Sequence, residues 1–293
     1  MTITTSTGWE AIGVQRELCG ERVFTIDVPS IGPERHVPLL VLHGFPTSSF
    51  DYAAVLDGLR AGRRVVLLDM VGYGLSAKPD RPYSVDLQAD VAQAFVADAG
   101  VSTLALLTHD LGDTVGGELL ARQAEGRWPI EITRRVITNG SIYIEMAHLS
   151  TGQQLLLSLP DERLADTAGI DGATMQASLA ATFSARSRVE DSDLAGVWEL
   201  ISHDGGHLLL PRTIRYIEER RRNQARFTGA IETHPSSLAI VWGTEDPIAV
   251  APMASRLHDA RPDSTLTWLH AIGHYPMIES PATFLDAVVP ALS

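Results

Sequence analysis

The chain has 293 residues, 45% of them hydrophobic and 20% charged, with a formal net charge of -13. That length and apolar content support one large core, or one domain carrying a sizeable insertion, and exclude disorder over most of the chain. The acidic balance speaks against nucleic acid and anionic membranes as partners. The single cysteine, Cys19, excludes an intramolecular disulfide and a cysteine-based zinc site. Residues 1–9 are polar and threonine-rich and lack the basic and apolar regions of a signal peptide. No apolar run approaches the roughly 20 residues that span a bilayer. The expectation is a soluble, cytoplasmic protein.

In chain order, residues 16–19 and 22–28 predict two antiparallel strands with a turn at Gly20-Glu21. The pattern then changes to continuous apolar runs at 37–42, 64–69, 103–108, 135–138, 238–242 and 264–269. Runs of this kind predict strands buried on both faces. Helical spacing lies between several of them, at 86–99 and 113–123. Buried strands alternating with helices predict a mostly parallel, twisted sheet with helices on both faces. From 144 to 229 the rhythm stops, and helical signals at 155–159, 173–184 and 213–227 replace it. A structureless loop of that length does not fit inside a compact domain. The expected organisation is therefore a core in two parts, 1–143 and 230–293, with a helical cap at 144–229.

Leu107-Thr108-His109-Asp110-Leu111-Gly112-Asp113 follows a buried strand and precedes a helix. This is the setting of a nucleophile elbow, a strained strand-to-helix turn that exposes one side chain. Asp110 stands where esterases and lipases carry serine. The plainer reading makes Asp110 a helix N-cap. Two further motifs favour the elbow. His43-Gly44-Phe45-Pro46 follows the first buried strand, and its loop is expected to give the Phe45 N–H to an oxyanion hole completed by the N–H of Leu111. Gly273-His274-Tyr275-Pro276 follows the last strand, where a histidine can act as general base. Trp242-Gly243-Thr244-Glu245-Asp246-Pro247 ends the penultimate strand and supplies an acid to orient His274. Asp246 is the choice for that acid, with Glu245 its rival.

These motifs, together with Asp69-Met70-Val71-Gly72-Tyr73-Gly74-Leu75-Ser76-Ala77-Lys78-Pro79, resemble the epoxide hydrolase and haloalkane dehalogenase branch of the α/β-hydrolases. The resemblance runs from His43 to Pro281. Within the branch, His109-Asp110-Leu111-Gly112-Asp113 and the segment around Tyr216 look most like the mesoderm-specific transcript group. The resemblance implies the α/β-hydrolase fold and a catalytic triad of Asp110, His274 and Asp246. It also implies a ring-opening role for Tyr216, which lies 30 residues before Asp246 (246 − 216). Haloalkane dehalogenases carry a tryptophan directly after the nucleophile. Here Leu111 follows Asp110, and Phe45 occupies the oxyanion loop, so neither side chain can donate to a halide. Most epoxide hydrolases have a second cap tyrosine. Tyr143, at the entry to the cap, is the candidate, with His148, His203 and His207 as alternatives.

The reaction expected from this resemblance opens an epoxide to a vicinal diol through an aspartyl ester. Haloalkane dehalogenation and ester or lactone hydrolysis on the same residues are the alternatives, and an inactive binding module is a third. Leu155-Leu156-Leu157 and Leu208-Leu209-Leu210 point to an apolar pocket. The expected partners are a small apolar epoxide-type substrate and water, with self-association left open. No metal or organic cofactor is expected. His203 and His207 lack the glutamate of a zinc-binding helix, and Gly72-Tyr73-Gly74 is too short for a phosphate loop.

Overall fold

The structure is a computed structural model that describes residues 5–167, 170–187, 189 and 191–293. Positions 1–4 of the polar N-terminal stretch and 168, 169, 188 and 190 of the expected cap lie outside the described residues.

Eight strands form one sheet: β1 (Val14–Leu18), β2 (Glu21–Val28), β3 (Leu39–Leu42), β4 (Val65–Leu68), β5 (Thr103–His109), β6 (Glu131–Thr138), β7 (Ser237–Gly243) and β8 (Thr265–Leu269). Their spatial order is β1-β2-β4-β3-β5-β6-β7-β8. β1 pairs antiparallel with β2, and β2 antiparallel with β4, while every later pairing is parallel. The two antiparallel strands read at the N-terminus thus form one edge of an otherwise parallel sheet.

The apolar runs become buried strands because each successive side chain enters a different core. Leu40, Leu42, Val66, Leu68, Leu104 and Leu106 pack on one face of the sheet. Their neighbours Leu39, Val41, Val65, Leu67, Ala105 and Leu107 pack on the other. Both faces are therefore covered, and alternation of polar and apolar residues disappears from these strands.

The helix Val85–Asp98 starts at Ser84, whose hydroxyl caps the N–H of Leu87 at 3.1 Å. The helix Leu111–Ala124 begins directly after Asp110. Between β6 and β7, the described residues carry helices at Thr151–Ser158, Gly172–Ala180, Asp191–Ser202 and Tyr216–Thr233. The third of these was not anticipated, although Leu194, Val197, Leu200 and Ile201 recur at helical spacing and are buried. The expected boundary at 229 falls inside the helix Tyr216–Thr233. That helix packs on the helix Leu111–Ala124.

An ion-pair network ties these two helices together. Buried Glu118 bonds Arg122 at 2.8 Å and Arg226 at 2.5 Å, and Arg226 also reaches Glu125 at 2.6 Å. Removing one partner of a buried pair strands the other charge in a poor solvent. Glu118→Ala is therefore expected to lower stability by about 3 kcal/mol, read as a shift in urea midpoint at constant slope. No described helix is long and apolar enough to cross a membrane.

Candidate active site

Asp110 sits at the end of β5 with φ 48° and ψ -109°, a backbone region that non-glycine residues rarely occupy. Such strain costs on the order of 1–3 kcal/mol and is held only where the surroundings over-determine it. The turn closes because Gly112 has no side chain: a Cβ there would lie 2.4 Å from the carbonyl oxygen of Leu42. Asp110 stands at the N-cap position, yet its side chain makes no capping hydrogen bond. Instead the Phe45 N–H donates to Oδ2 at 2.9 Å. The Tyr216 hydroxyl lies 3.4 Å from both carboxylate oxygens. The carboxylate is turned away from its own helix and toward the β3 loop.

That loop is braced from below. Asp69 accepts from the N–H of Ser49 at 2.8 Å and the N–H of Leu75 at 2.7 Å. His43 accepts the N–H of Met70 through Nε2 at 2.9 Å, leaving Nδ1–H to donate to the Gly44 carbonyl at 2.8 Å. The Tyr275 hydroxyl donates to the Phe45 carbonyl at 2.9 Å. The peptide that presents the Phe45 N–H is thus fixed on both sides.

His274 lies on the loop after β8, with Nδ1 2.7 Å from Asp246 Oδ2. Asp246 accepts from the N–H groups of Ile248 at 2.7 Å and Ala249 at 2.9 Å through Oδ1. The Asn139 amide donates to its Oδ2 at 2.8 Å. Every acceptor site faces a donor, so Nδ1 of His274 carries the proton and Nε2 is left as the basic nitrogen. Burial alone would lower the imidazole. The charge of Asp246 and its hydrogen bond, helped by Asp110, outweigh burial and hold it above its ordinary 6.5. Glu245 forms no hydrogen bond to His274; Asp246 does, and the two rival positions separate on that geometry.

Tyr216 is buried, its ring 5.8 Å from that of Phe45. Burial, then the nearby charge of Asp110, push its hydroxyl well above the usual phenol range. Tyr143 is not brought to this cluster. Its hydroxyl donates to Glu232 at 2.7 Å and the Arg256 guanidinium lies 3.8 Å over its ring. Its place at the cap entry suggested a second donor, but the 3-10 turn Ile144–Met146 that follows leaves it against the helix Tyr216–Thr233. His148, His203 and His207 do not line the cleft either. The His207 ring packs on Trp198, 5.5 Å away.

A cleft of about 550 Å³, including its open mouth, leads to the cluster. Phe45, Leu156, Met175, Leu179, Leu210 and Ile248 supply apolar walls, with Ser150, Gln153, Ser178 and Thr182 adding polar points. Phe45 and His274 both face it. Among the described residues lining it, none is a lysine, arginine, aspartate or glutamate.

Three side chains beside the cluster escaped the sequence reading. Arg220 donates to the Asp110 carbonyl at 3.2 Å and to Thr114 Oγ1 at 2.7 Å. It follows Tyr216 by four residues, so helical periodicity puts both on one face and was the available signal. Asn139 holds Asp246, and in Thr138-Asn139-Gly140 it reads as an ordinary turn. His109 precedes Asp110, and its Nε2–H donates to the His274 carbonyl at 2.8 Å. Burial, then the charge of His274, lower its imidazole to about 4, so it stays neutral while bridging the elbow and the histidine loop.

The sequence profile of the alpha/beta hydrolase family matches residues 39–287. LipZ of Mycobacterium tuberculosis is 35% identical over 263 residues, covering 89% of this chain and 90% of LipZ. The human mesoderm-specific transcript homolog protein is 31% identical over 287 residues, covering 95% of this chain and 85% of its own length. Among solved structures, an alpha/beta hydrolase fold protein from Burkholderia ambifaria superposes with a TM-score of 0.75 at 19% identity, over 95% of this chain and 97% of the other. The enol-lactonase from Burkholderia xenovorans gives 0.75 at 16% identity, over 95% and 99%. At these identities the two structures speak to fold alone. With the sheet order, the elbow and the matched length in agreement, the chain belongs to the alpha/beta hydrolase family, and the mesoderm-specific transcript proteins are among its relatives.

Proposed function

We propose that the chain is an epoxide hydrolase that forms a covalent ester on Asp110. The observation that carries this reading is the position of the Asp110 carboxylate. Oδ2 accepts the Phe45 N–H at 2.9 Å while the Tyr216 hydroxyl stands 3.4 Å away. An oxygen already held by an oxyanion-type donor is the one that becomes the ester carbonyl, which leaves Oδ1 to attack.

In the first step Oδ1 forms a bond to an epoxide carbon, and the carbon–oxygen bond of the ring breaks. The released oxygen takes the proton of the Tyr216 hydroxyl. Tyr216 is a poor acid while Asp110 is charged, and esterification removes that charge, so its acidity rises as the alkoxide forms. In the second step His274 Nε2 removes a proton from water, and the hydroxide attacks Cγ of Asp110. The negative oxygen of the tetrahedral intermediate is Oδ2, stabilised by the Phe45 N–H, with the N–H of Leu111 as the expected second donor. The carbon–oxygen bond to the substrate then breaks, its oxygen takes the proton from His274, and a diol leaves. Hydrolysis leaves Asp110 as a carboxylic acid, and its proton passes to the Tyr216 phenolate 3.4 Å away, restoring both groups.

The cleft fits a neutral, mainly apolar substrate, because among the described residues none lining it is a lysine, arginine, aspartate or glutamate. Leu111 and Phe45 offer no side-chain N–H to a halide, which disfavours dehalogenation. The test is a side-by-side assay of diol and halide release from aryl and alkyl epoxides and matched bromoalkanes. Diol release supports the reading; halide release alone overturns it, as does turnover confined to esters or lactones.

The pH dependence follows from His274. Its folded value is raised, so it holds a proton at pH values where a free imidazole has lost it. The base form needed for the second step is present above that raised value and lost as pH falls through it. Single-turnover hydrolysis of the ester is expected to show an acid limb with a midpoint above 6.5.

A further inference from the structure

A second carboxyl, Asp113, lies one turn beyond Asp110 on the helix Leu111–Ala124 and is 1% exposed. The Thr108 hydroxyl donates to its Oδ1. Its Oδ2 is buried without a hydrogen-bond partner. That oxygen faces Gly140, where a Cβ would lie 1.8 Å from it, and a small cavity shared with Thr108, Gly116 and Arg135.

The charges around Asp113 come from four directions. Asp110 is on the elbow, His274 on the loop after β8, and Arg220 on the helix Tyr216–Thr233. Tyr52 faces it from the 3-10 turn Ser49–Tyr52. Arg135 on β6 shares the cavity, but its guanidinium is engaged by Ser236 Oγ and the carbonyls of Ile231, His234 and Ser236. No cation pairs directly with Asp113 among the described residues. Arg220 is a fixed positive charge that acts on Asp113, and its donors go to the Asp110 carbonyl and to Thr114. Asp110 has in addition the Phe45 N–H and the Tyr216 hydroxyl, whereas Asp113 has Thr108 only. Two buried carboxyls next to one cation do not both ionise readily, and the better-solvated one takes the charge.

We propose that Asp113 is a positioning residue for the nucleophile: it is kept as a neutral carboxylic acid, so that the positive charge of Arg220 is left to Asp110. This rests on Asp110 being the nucleophile. Burial foremost pushes the Asp113 carboxyl up to about 8, against the pull of Thr108 and Arg220. When Asp113 ionises above that value, a second anion lies one turn from Asp110. It opposes the negative tetrahedral oxygen of the second step and draws on the field of Arg220. Turnover therefore falls on the alkaline side.

The charge state is read directly by infrared difference spectroscopy between the wild type and Asp113→Asn. At pH 7 the variant is expected to lack one carboxylic-acid C=O band, and in the wild type that band disappears as pH passes about 8. A difference spectrum at pH 7 showing a lost carboxylate band instead overturns the proposal, whatever reaction the enzyme catalyses. The positioning role is read from the ratio of kcat at about pH 9.5 to that at pH 7. The ratio is expected to be about tenfold below one in the wild type and within about twofold of one in the variant. Equal falls in both proteins overturn it. Failure to open any epoxide sinks the proposed reaction but leaves the infrared band to decide the charge state of Asp113.

Discussion

His274→Gln, mixed with an epoxide that the wild type hydrolyses, is expected to gain the mass of one substrate molecule and then stall. The first step needs only the Asp110 carboxylate and the Tyr216 hydroxyl, both intact in this variant. The second step needs a base to take the proton from water, and glutamine cannot do so. Loss of a catalytic base at the committed step lowers kcat by on the order of 10⁴-fold, while ester formation continues. Intact-protein mass spectrometry reads the adduct, and peptide mapping locates it on the segment containing Asp110. In the double variant Asp110→Asn, His274→Gln the added mass is expected to vanish. An adduct that survives this change places the ester elsewhere and ends the covalent scheme on Asp110. A wild-type rate in His274→Gln would show that the histidine is not the base.

The next largest effect belongs to Asp246→Asn. The carboxylate of Asp246 receives four donors, from Ile248, Ala249, Asn139 and His274. An asparagine offers one acceptor oxygen and one NH2 group, so at least one of these donors must meet another donor. If that donor is His274 Nδ1–H, the ring turns to its other tautomer, with Nε2 protonated and unable to take a proton from water. Turnover is expected to fall by on the order of 10³ to 10⁴-fold, and KM to fall with it because the ester accumulates. The attraction that raises His274 is lost as well, so the acid limb of the remaining activity moves to lower pH. A small loss of activity with an unmoved limb would mean that another acid orients His274.

The hydrolase family and the placement of the elbow were legible because each rests on short-range rules. A buried strand shows as a continuous apolar run, as in Leu39–Leu42 and Val65–Leu68, where both sheet faces are covered. The elbow shows as a polar residue between a strand and a helix, with glycine two positions on. Phe45, His274 and Asp246 were read from their position at strand ends, since a parallel sheet gathers the C-terminal ends of its strands on one edge. The partners of Tyr143 were not legible. Its hydroxyl is claimed by Glu232, 89 residues later in the chain, and nothing local to residue 143 signals that contact.

The strands and the type of sheet are legible in the chain because periodicity is a local property, and the hydrolase family is legible in the resemblance of the short motifs at the strand ends. Which groups surround the site's carboxyls depends on packing between segments far apart in the chain. Arg220, Asp113 and Asn139 reach Asp110, His274 and Asp246 through burial and packing across distant segments. A carboxyl's ionisation depends on the cations and donors its side chain meets after folding, and no short stretch of sequence records them.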